Sequence, residues 1–458
     1  MKLRPYQNQA VEAILNEFQD NDSTLTVMPT GTGKTQVFSS VIQRVQPGRA
    51  LVLAHRSELI TQAVKRIEGL GLECSIEMAD LRAVETHWMK TPVVVSSIQT
   101  QIAGANGEGR MSRFDPFNFA LLVIDEAHHA TAESYRRVID YYRRNPNLKV
   151  LGVTATPDRA DEEALGSVFK SVAFDYEILD AIHDGWFVPI RQQMVAIEGL
   201  DFSGIRTTAG DLNGADLAAV MEQEKHLHGI ASASLDIIGD KRTIAFAASV
   251  KQAELLCDIF NRHKADMAAW VCGKTPKDDR ETMLRRFNDG QIQVMVNVGV
   301  LTEGFDSPAV EVVLQGRPTK SRSLYSQMVG RSTRPLPGVV DGHEVDCPDI
   351  RKTAIANSSK PHCLIVDFVG NSGRHKLMTT ADILGGKVSD EAVERAIAKA
   401  KETGGERDMA ELLKEEEETI KQEAEERRRT EAARRAHLVG KAKFSSKMID
   451  PFRSEEHT

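Results

Sequence analysis

The sequence predicts an α/β protein built on two tandem parallel sheets, followed by a charged helical extension. Three observations predict it. Short apolar, β-branched runs recur at spacings that admit a crossover helix, and they do so in two separate series. A Gly-rich turn directly follows the first of these runs. Towards the end of the chain the composition shifts to Glu, Lys, Arg and Ala.

The first series is L-T-V-M (25–28), A-L-V-L-A (50–54), P-V-V-V-S (92–96), A-L-L-V-I (120–124) and K-V-L-G-V (149–153). Runs that are apolar throughout belong to strands covered on both faces, as in a parallel sheet flanked by helices. The second series is T-I-A-F-A (243–247), A-A-W-V (268–271), Q-V-M-V-N-V (293–298), V-E-V-V-L (310–314) and C-L-I-V-D-F (363–368). The two halves share a rhythm rather than a sequence. Between them, residues 195–225 are rich in Gly, Asp and Thr and read as a linker or small insertion. The expected organisation is therefore a first domain over 1–175, a linker over 176–225, a second domain over 226–375 and a charged tail over 376–458.

Composition sets the outer bounds. At about 100–200 residues per domain, 458 residues give two to four domains. An apolar fraction of 41 % with 27 % charged residues is that of a globular chain. No apolar run reaches the roughly 18 residues of a membrane-spanning helix, and M-K-L-R-P-Y-Q has no signal-peptide core. Five cysteines without a C-x-x-C pair indicate a reducing compartment, so a cytoplasmic location is expected. A net charge of −8 argues against a surface coated with cations for nucleic acid. Half of that deficit lies in residues 390–437, where 15 acidic and 11 basic side chains alternate in blocks. Such a run reads as a solvated helix or disordered extension, the alternative being a helix that binds a protein partner.

Chemistry concentrates at three places. M-P-T-G-T-G-K-T (28–35) lies between a predicted strand and a predicted helix. Gly31 and Gly33 permit a tight turn whose N–H groups point inwards at phosphate oxygens. Lys34 supplies a point charge for β/γ-phosphates, Thr35 a hydroxyl for Mg²⁺, and the helix N-terminus favours an anion. Pro29, Thr30 and Thr32 complete the cradle. The strict G-x-x-x-x-G-K-[ST] pattern fails at Met28, and a chance Gly-rich turn is the competing reading. L-L-V-I-D-E-A-H-H (121–129) is a strand ending in two carboxylates, costly to bury without a cation. Asp125 suits the metal and Glu126 an attacking water, against a plain helix-capping pair. Q-M-V-G-R-S-T-R-P (327–335) sets Arg331 and Arg334 three apart, which on a helix gives them one face. From there both reach a γ-phosphate held by the other domain, with Gln327 one turn earlier; an exposed basic helix is the plainer reading.

In this order and at these spacings the motifs resemble those of the superfamily 2 helicases of the D-E-A-H type, in the branch of RadD-like and XPB-like DNA helicases. The resemblance spans about residues 2–370. It implies two RecA-like domains, ATP and Mg²⁺ as cofactors, and DNA as the polymer. L-R-P-Y-Q (3–7) resembles the adenine-reading element, through Arg4 and Gln7. A-H-R-S-E-L (54–59) and V-S-S-I-Q-T (95–100) resemble strand-contacting motifs, which makes Arg56, Ser97 and Thr100 nucleic-acid contacts. G-V-T-A-T-P (152–157) resembles the coupling motif, with Thr154 and Thr156, and His128 matches the family's coupling histidine. In V-G-V-L-T-E-G-F-D (298–306) the resemblance assigns Gly304 and Asp306 to the nucleotide and Thr302 to the strand. A-F-A-A-S-V (245–250) resembles the phosphate-contacting start of the second motor domain. Motors of this superfamily generally work as monomers, and a monomer is expected.

The implied function is ATP hydrolysis coupled to translocation on DNA or its unwinding. An RNA helicase, and an ATP-gated clamp that does not unwind, are the alternatives, because phosphate contacts do not distinguish polymers well. His343, Cys347, His362 and Cys363 are close in sequence but fit no zinc spacing, and read as core or loop residues. No nuclease-like set of carboxylates and lysine accompanies the motor motifs.

Overall fold

The computed structural model describes residues 3–85, 90–104, 109–155, 164–301, 305, 307–342, 347–386 and 388–441. Two seven-stranded sheets organise the chain. The first is assembled from β1 (Ser23–Val27), β2 (Arg49–Ala54), β3 (Cys74–Glu77), β4 (Val93–Ser97), β5 (Phe119–Asp125), β6 (Lys149–Thr154) and β7 (Ser171–Asp175). Its spatial order is β3-β4-β2-β5-β6-β1-β7, and every neighbouring pair is parallel. Val52 stands between Val95 and Val123, all fully buried; each such side chain contributes about 1.5–3 kcal/mol of burial. The apolar runs are thus strands because both of their faces are covered by helices.

The second sheet uses β8 (Ile190–Asp201), then, after a hairpin β9 (Thr207–Thr208) and β10 (Asp211–Leu212), β11 (Thr243–Ala247), β12 (Ala268–Cys272), β13 (Val294–Val298), β14 (Val312–Gly316), β15 (Cys363–Asn371) and β16 (Arg407–Asp408). The order is β12-β13-β11-β14-β15-β8-β16, parallel except for β16. These are two tandem RecA-like units, as the sequence predicted. Among the described residues no helix is long and apolar enough to cross a membrane.

Two expected boundaries need correction. The stretch 176–225 is not a linker, since β8 is an inner strand of the second sheet, hydrogen-bonded along β15. Its polarity disguised it. Gln192 is buried at 1 % exposure and donates to the Asp367 carboxylate, which interrupts the apolar pattern. Only the part around the β9–β10 hairpin is the small insertion that its composition suggested. The charged tail is also not a free extension over its whole length. Ala392, Ala396 and Ala400 form a small-residue stripe buried along the helix Asp390–Thr403, and Leu412 and Leu413 bury the start of the helix Met409–Lys441. Ion pairs fasten the outer faces of these two helices, Arg395 to Glu423 at 2.9 Å and Lys399 to Glu416 at 2.9 Å. Charge dominates the composition there, whereas alanine and leucine spacing decides the packing.

Candidate nucleotide site between the two sheets

β6 lies between β1 and β5. The turn after β1 and the acids ending β5 therefore emerge at one sheet edge, two strand spacings or about 10 Å apart. Gly31 and Gly33 take φ of +93° and +85°, a backbone region that only glycine enters freely. A Cβ at Gly33 would also stand 2.5 Å from Gln7 Nε2. Tyr6 Oη and Gln7 Nε2 both donate to the Thr32 carbonyl, at 2.7 and 2.8 Å, and Thr32 Oγ1 donates to Pro29 O at 2.7 Å. The cradle is thereby tied to the N-terminal helix Pro5–Asp20. That helix in turn stacks Tyr6 on Tyr176, ring centroids 4.7 Å apart.

Lys34 opens the following helix, Lys34–Arg44, and its Nζ lies 3.8 Å from Glu126 Oε1. Asp125 and Glu126 are 5 % and 6 % exposed. Burial pushes the Asp125 carboxyl well above the usual carboxylate range, and the adjacent Glu126 charge adds to it, against the pull of Lys34. Glu126 itself sits at φ +50°, a left-handed conformation that is strained for a residue with a Cβ. Its Oε2 is buried without a hydrogen-bond partner. His128 Nδ1 is 3.5 Å from that oxygen and 3.1 Å from Thr154 Oγ1 at the end of β6. Asp125, Glu126, His128 and Thr154 thus form a continuous line from the acids to the next strand end.

The second unit closes the site. A cavity of about 480 Å³ is lined on one side by Thr30, Gly31, Gly33, Lys34, Thr35, Asp125 and Glu126, and on the other by Phe305, Gly330, Arg331 and Arg334. Arg331 donates to the Phe305 carbonyl. The Arg334 stem presses on the cradle, so that a Cβ at Gly31 would meet its Cγ and Cδ at 3.1 Å. The helix expected to present both arginines ends earlier, at Val329. Ser332 Oγ and Thr333 Oγ1 turn back to the carbonyls of Val329 and Gly330, and Thr333 O accepts from Val188 N. The two arginines share the cavity because a buried turn, not a helix face, presents them.

Other expected contacts fall elsewhere. Arg4 lies over the Trp186 ring at 4.4 Å, and Gln7 and Gln327 are buried and do not line the cavity. Ser97 and Thr100 engage each other, Oγ to Oγ1 at 2.7 Å, as the cap of the short helix Ile98–Ile102. Arg56 Nη1 spans the units, 3.4 and 3.5 Å from the carbonyls of Gly299 and Val300. Thr156, Thr302, Gly304 and Asp306 lie outside the described residues, as does His343. Cys363 is fully buried at the start of β15, and among the described residues no three His, Cys, Asp or Glu side chains gather as a metal site.

Sequence reading missed two contributors. Leu59, Gln62, Lys65 and Arg66, on the helix Ser57–Glu68, line the cavity, and nothing but a helical period marks them. Lys360 is 1 % exposed and donates to Pro308 O and Arg334 O, both at 2.7 Å, pinning the arginine turn. Burial lowers its ammonium from the ordinary 10.5 to about 8. Between those values the unfolded chain holds the proton and the fold does not, so stability rises with pH across that window. Urea titrations at pH 7 to 10 will show wild type gaining about 2.5 kcal/mol relative to Lys360→Met. A difference that stays flat with pH would mean that Lys360 remains charged in the fold.

Comparison with known proteins now bears on this arrangement. Residues 1–159 match the family described as type III restriction enzyme, res subunit, and residues 229–335 match the helicase conserved C-terminal domain. The two matched domains, and the relatives that follow, are consistent with a superfamily 2 helicase of the XPB-like branch. IRC3 of Saccharomyces cerevisiae, designated an ATP-dependent helicase, is 30 % identical over 393 residues, covering 81 % of this chain and 52 % of IRC3. The DNA 3'-5' translocase XPB2 of Sulfurisphaera tokodaii is 24 % identical over 369 residues, covering 73 % of this chain and 79 % of its own. In fold, the chain resembles S. cerevisiae Dbp5 bound to RNA and ADP BeF3, with a TM-score of 0.52 and 17 % identity over 87 % of this chain and 94 % of Dbp5. The chain spans 52 % and 62 % of the length of the two IRC3 proteins, from S. cerevisiae and Schizosaccharomyces pombe.

Proposed function

We propose that the protein is a nucleic-acid-dependent ATPase that moves along DNA or opens it. The observation that carries this reading is the cavity with an acid pair and a phosphate cradle on one sheet and two arginines on the other. Two adjacent buried acids suit a hard divalent cation, and Thr35 with Asp125 would hold Mg²⁺ against the phosphates. A cation held there would supply neutralisation of phosphate charge. Lys34 and the backbone N–H groups of the cradle orient the nucleotide. Glu126, its Oε2 uncommitted to any hydrogen bond, accepts the proton of the attacking water. Arg331 and Arg334 stabilise charge as the γ-phosphoryl group leaves.

Because each unit supplies one wall, nucleotide binding draws the units together and loss of the γ-phosphate lets them part. His128 and Thr154 connect Glu126 to the end of β6. Arg56 and the chain after β13 meet across the same cleft, where a strand held by its phosphates would feel the opening. The relative designated a DNA 3'-5' translocase favours DNA as the polymer. Steady-state hydrolysis with single-stranded DNA, duplex DNA and RNA tests the reading, with Lys34→Ala as control. Strong stimulation by DNA, abolished in the variant, is expected. Stimulation by RNA alone makes RNA the polymer, and hydrolysis indifferent to every nucleic acid refutes the motor.

A further inference from the structure

Away from the cleft, a second cavity of about 400 Å³ lies in the second unit at the carboxyl ends of β14 and β15, beneath the helix Asp390–Thr403. Ligands of open α/β sheets bind beyond the carboxyl ends of their strands. The walls are apolar, from Phe368, Leu377, Met378 and Ile397. Two buried polar side chains interrupt them. Gln315, 2 % exposed, has neither Nε2 nor Oε1 hydrogen-bonded, and His375, 7 % exposed, has Nε2 without a partner. Lys376 and Lys401 stand exposed at the rim, with Glu394 beside them.

A buried amide with both ends unpaired is a standing cost to the fold, since native interiors pair such groups almost without exception. Neighbouring Asp367 shows the contrast, its carboxylate accepting from Gln192 and from Tyr325 Oη at 2.8 Å. We propose that this cavity holds a single nucleobase. The Gln315 amide offers a donor and an acceptor side by side, the pair that reads the N6/N7 edge of adenine. The apolar walls cover the faces of the ring, and Lys376 and Lys401 lie where an attached phosphate would emerge. β14 is two strand spacings, about 10 Å, from β13 along the same sheet edge. A base turned out of a strand held at the cleft is therefore the natural occupant, and only this choice of source rests on the proposed function. A free mononucleotide shares the chemistry.

The test compares binding of the full chain to (dT)20 and to the same strand with one central adenine. Wild type should bind the adenine-containing strand at least about 5-fold more tightly. Gln315→Leu should lose that gain, keep its affinity for (dT)20, and melt at the same or a higher temperature, because it removes an unpaired buried amide. If Gln315→Leu melts lower, Ile397→Trp, which fills the cavity without touching the amide, must abolish the gain instead. A second arm measures adenosine 5'-monophosphate by equilibrium dialysis. Binding sites lost in Gln315→Leu, with no adenine gain in the strand, make the free nucleotide the occupant. Absence of both effects overturns the inference, as does equal weakening for both strands. Failure to bind any strand refutes the motor reading instead, and the mononucleotide arm then decides the cavity alone.

Discussion

Arg331→Ala lowers kcat for ATP hydrolysis by about 10³–10⁵-fold, while the Kd for a fluorescent nucleotide changes by less than about 10-fold. The asymmetry follows from where the guanidinium sits. Arg331 belongs to the unit opposite the phosphate cradle, so it contributes to a nucleotide complex only once both walls engage. Its hydrogen bond to the Phe305 carbonyl fixes its direction in advance, which limits the reorganisation needed as charge develops. Arg334→Ala has a different signature. Because the Arg334 stem packs on Gly31, its loss relaxes the cradle itself, and KM rises together with the fall in kcat. Steady-state kinetics beside direct nucleotide binding separate the two. A fall of less than 10-fold in kcat for Arg331→Ala would show that the cavity does not close on the γ-phosphate.

The second large effect is expected at Glu126. Glu126→Gln keeps the shape of the side chain and removes its capacity to take a proton, and kcat falls by about 10²–10⁴-fold. Nucleotide affinity is retained or improved, since one of two adjacent buried negative charges disappears beside the phosphates. The geometry supports this choice over Asp125. Asp125 already accepts from the Glu126 backbone N–H at 3.0 Å, whereas Glu126 Oε2 has no hydrogen bond. The left-handed conformation at Glu126 turns the carboxylate out of the line of β5 and towards Lys34 and His128. Single-turnover hydrolysis of prebound ATP measures the chemical step alone. A rate unchanged from wild type would exclude Glu126 as the base.

Most of the scaffold was legible because its signals are strong and local. Strands such as Leu51–Leu53 and Leu121–Ile124 are buried on both faces, so the need for apolar side chains overrides every other preference. The tight turn after β1 was legible because two glycines two positions apart permit backbone that other residues avoid, and both take left-handed φ. What escaped was governed by distant partners. β8 carries Gln192, whose buried amide N–H finds its acceptor in Asp367, 175 positions away. Arg331 and Arg334 were read as a helix face, but the Ser332 and Thr333 hydroxyls and the Val188 N–H hold their backbone in a turn. Ser97 and Thr100 were read as contacts to a nucleic-acid strand, and their spacing did not reveal that they also pair with each other at a helix cap. Lys360 gave no signal at all, because a lone lysine in a loop looks solvated until its two carbonyl partners are known.

The central claim is that opening and closing of the Lys34–Arg331 cleft drives movement along DNA. The most direct measurement is displacement of a third strand from a triplex at the end of a duplex track, which reports translocation without requiring the duplex to open. With ATP, wild type should displace the third strand at a rate that falls as the track lengthens, and Lys34→Ala and Arg331→Ala should not displace it. Hydrolysis stimulated by DNA with no displacement on duplex or single-stranded tracks would contradict the claim and leave an ATP-gated clamp.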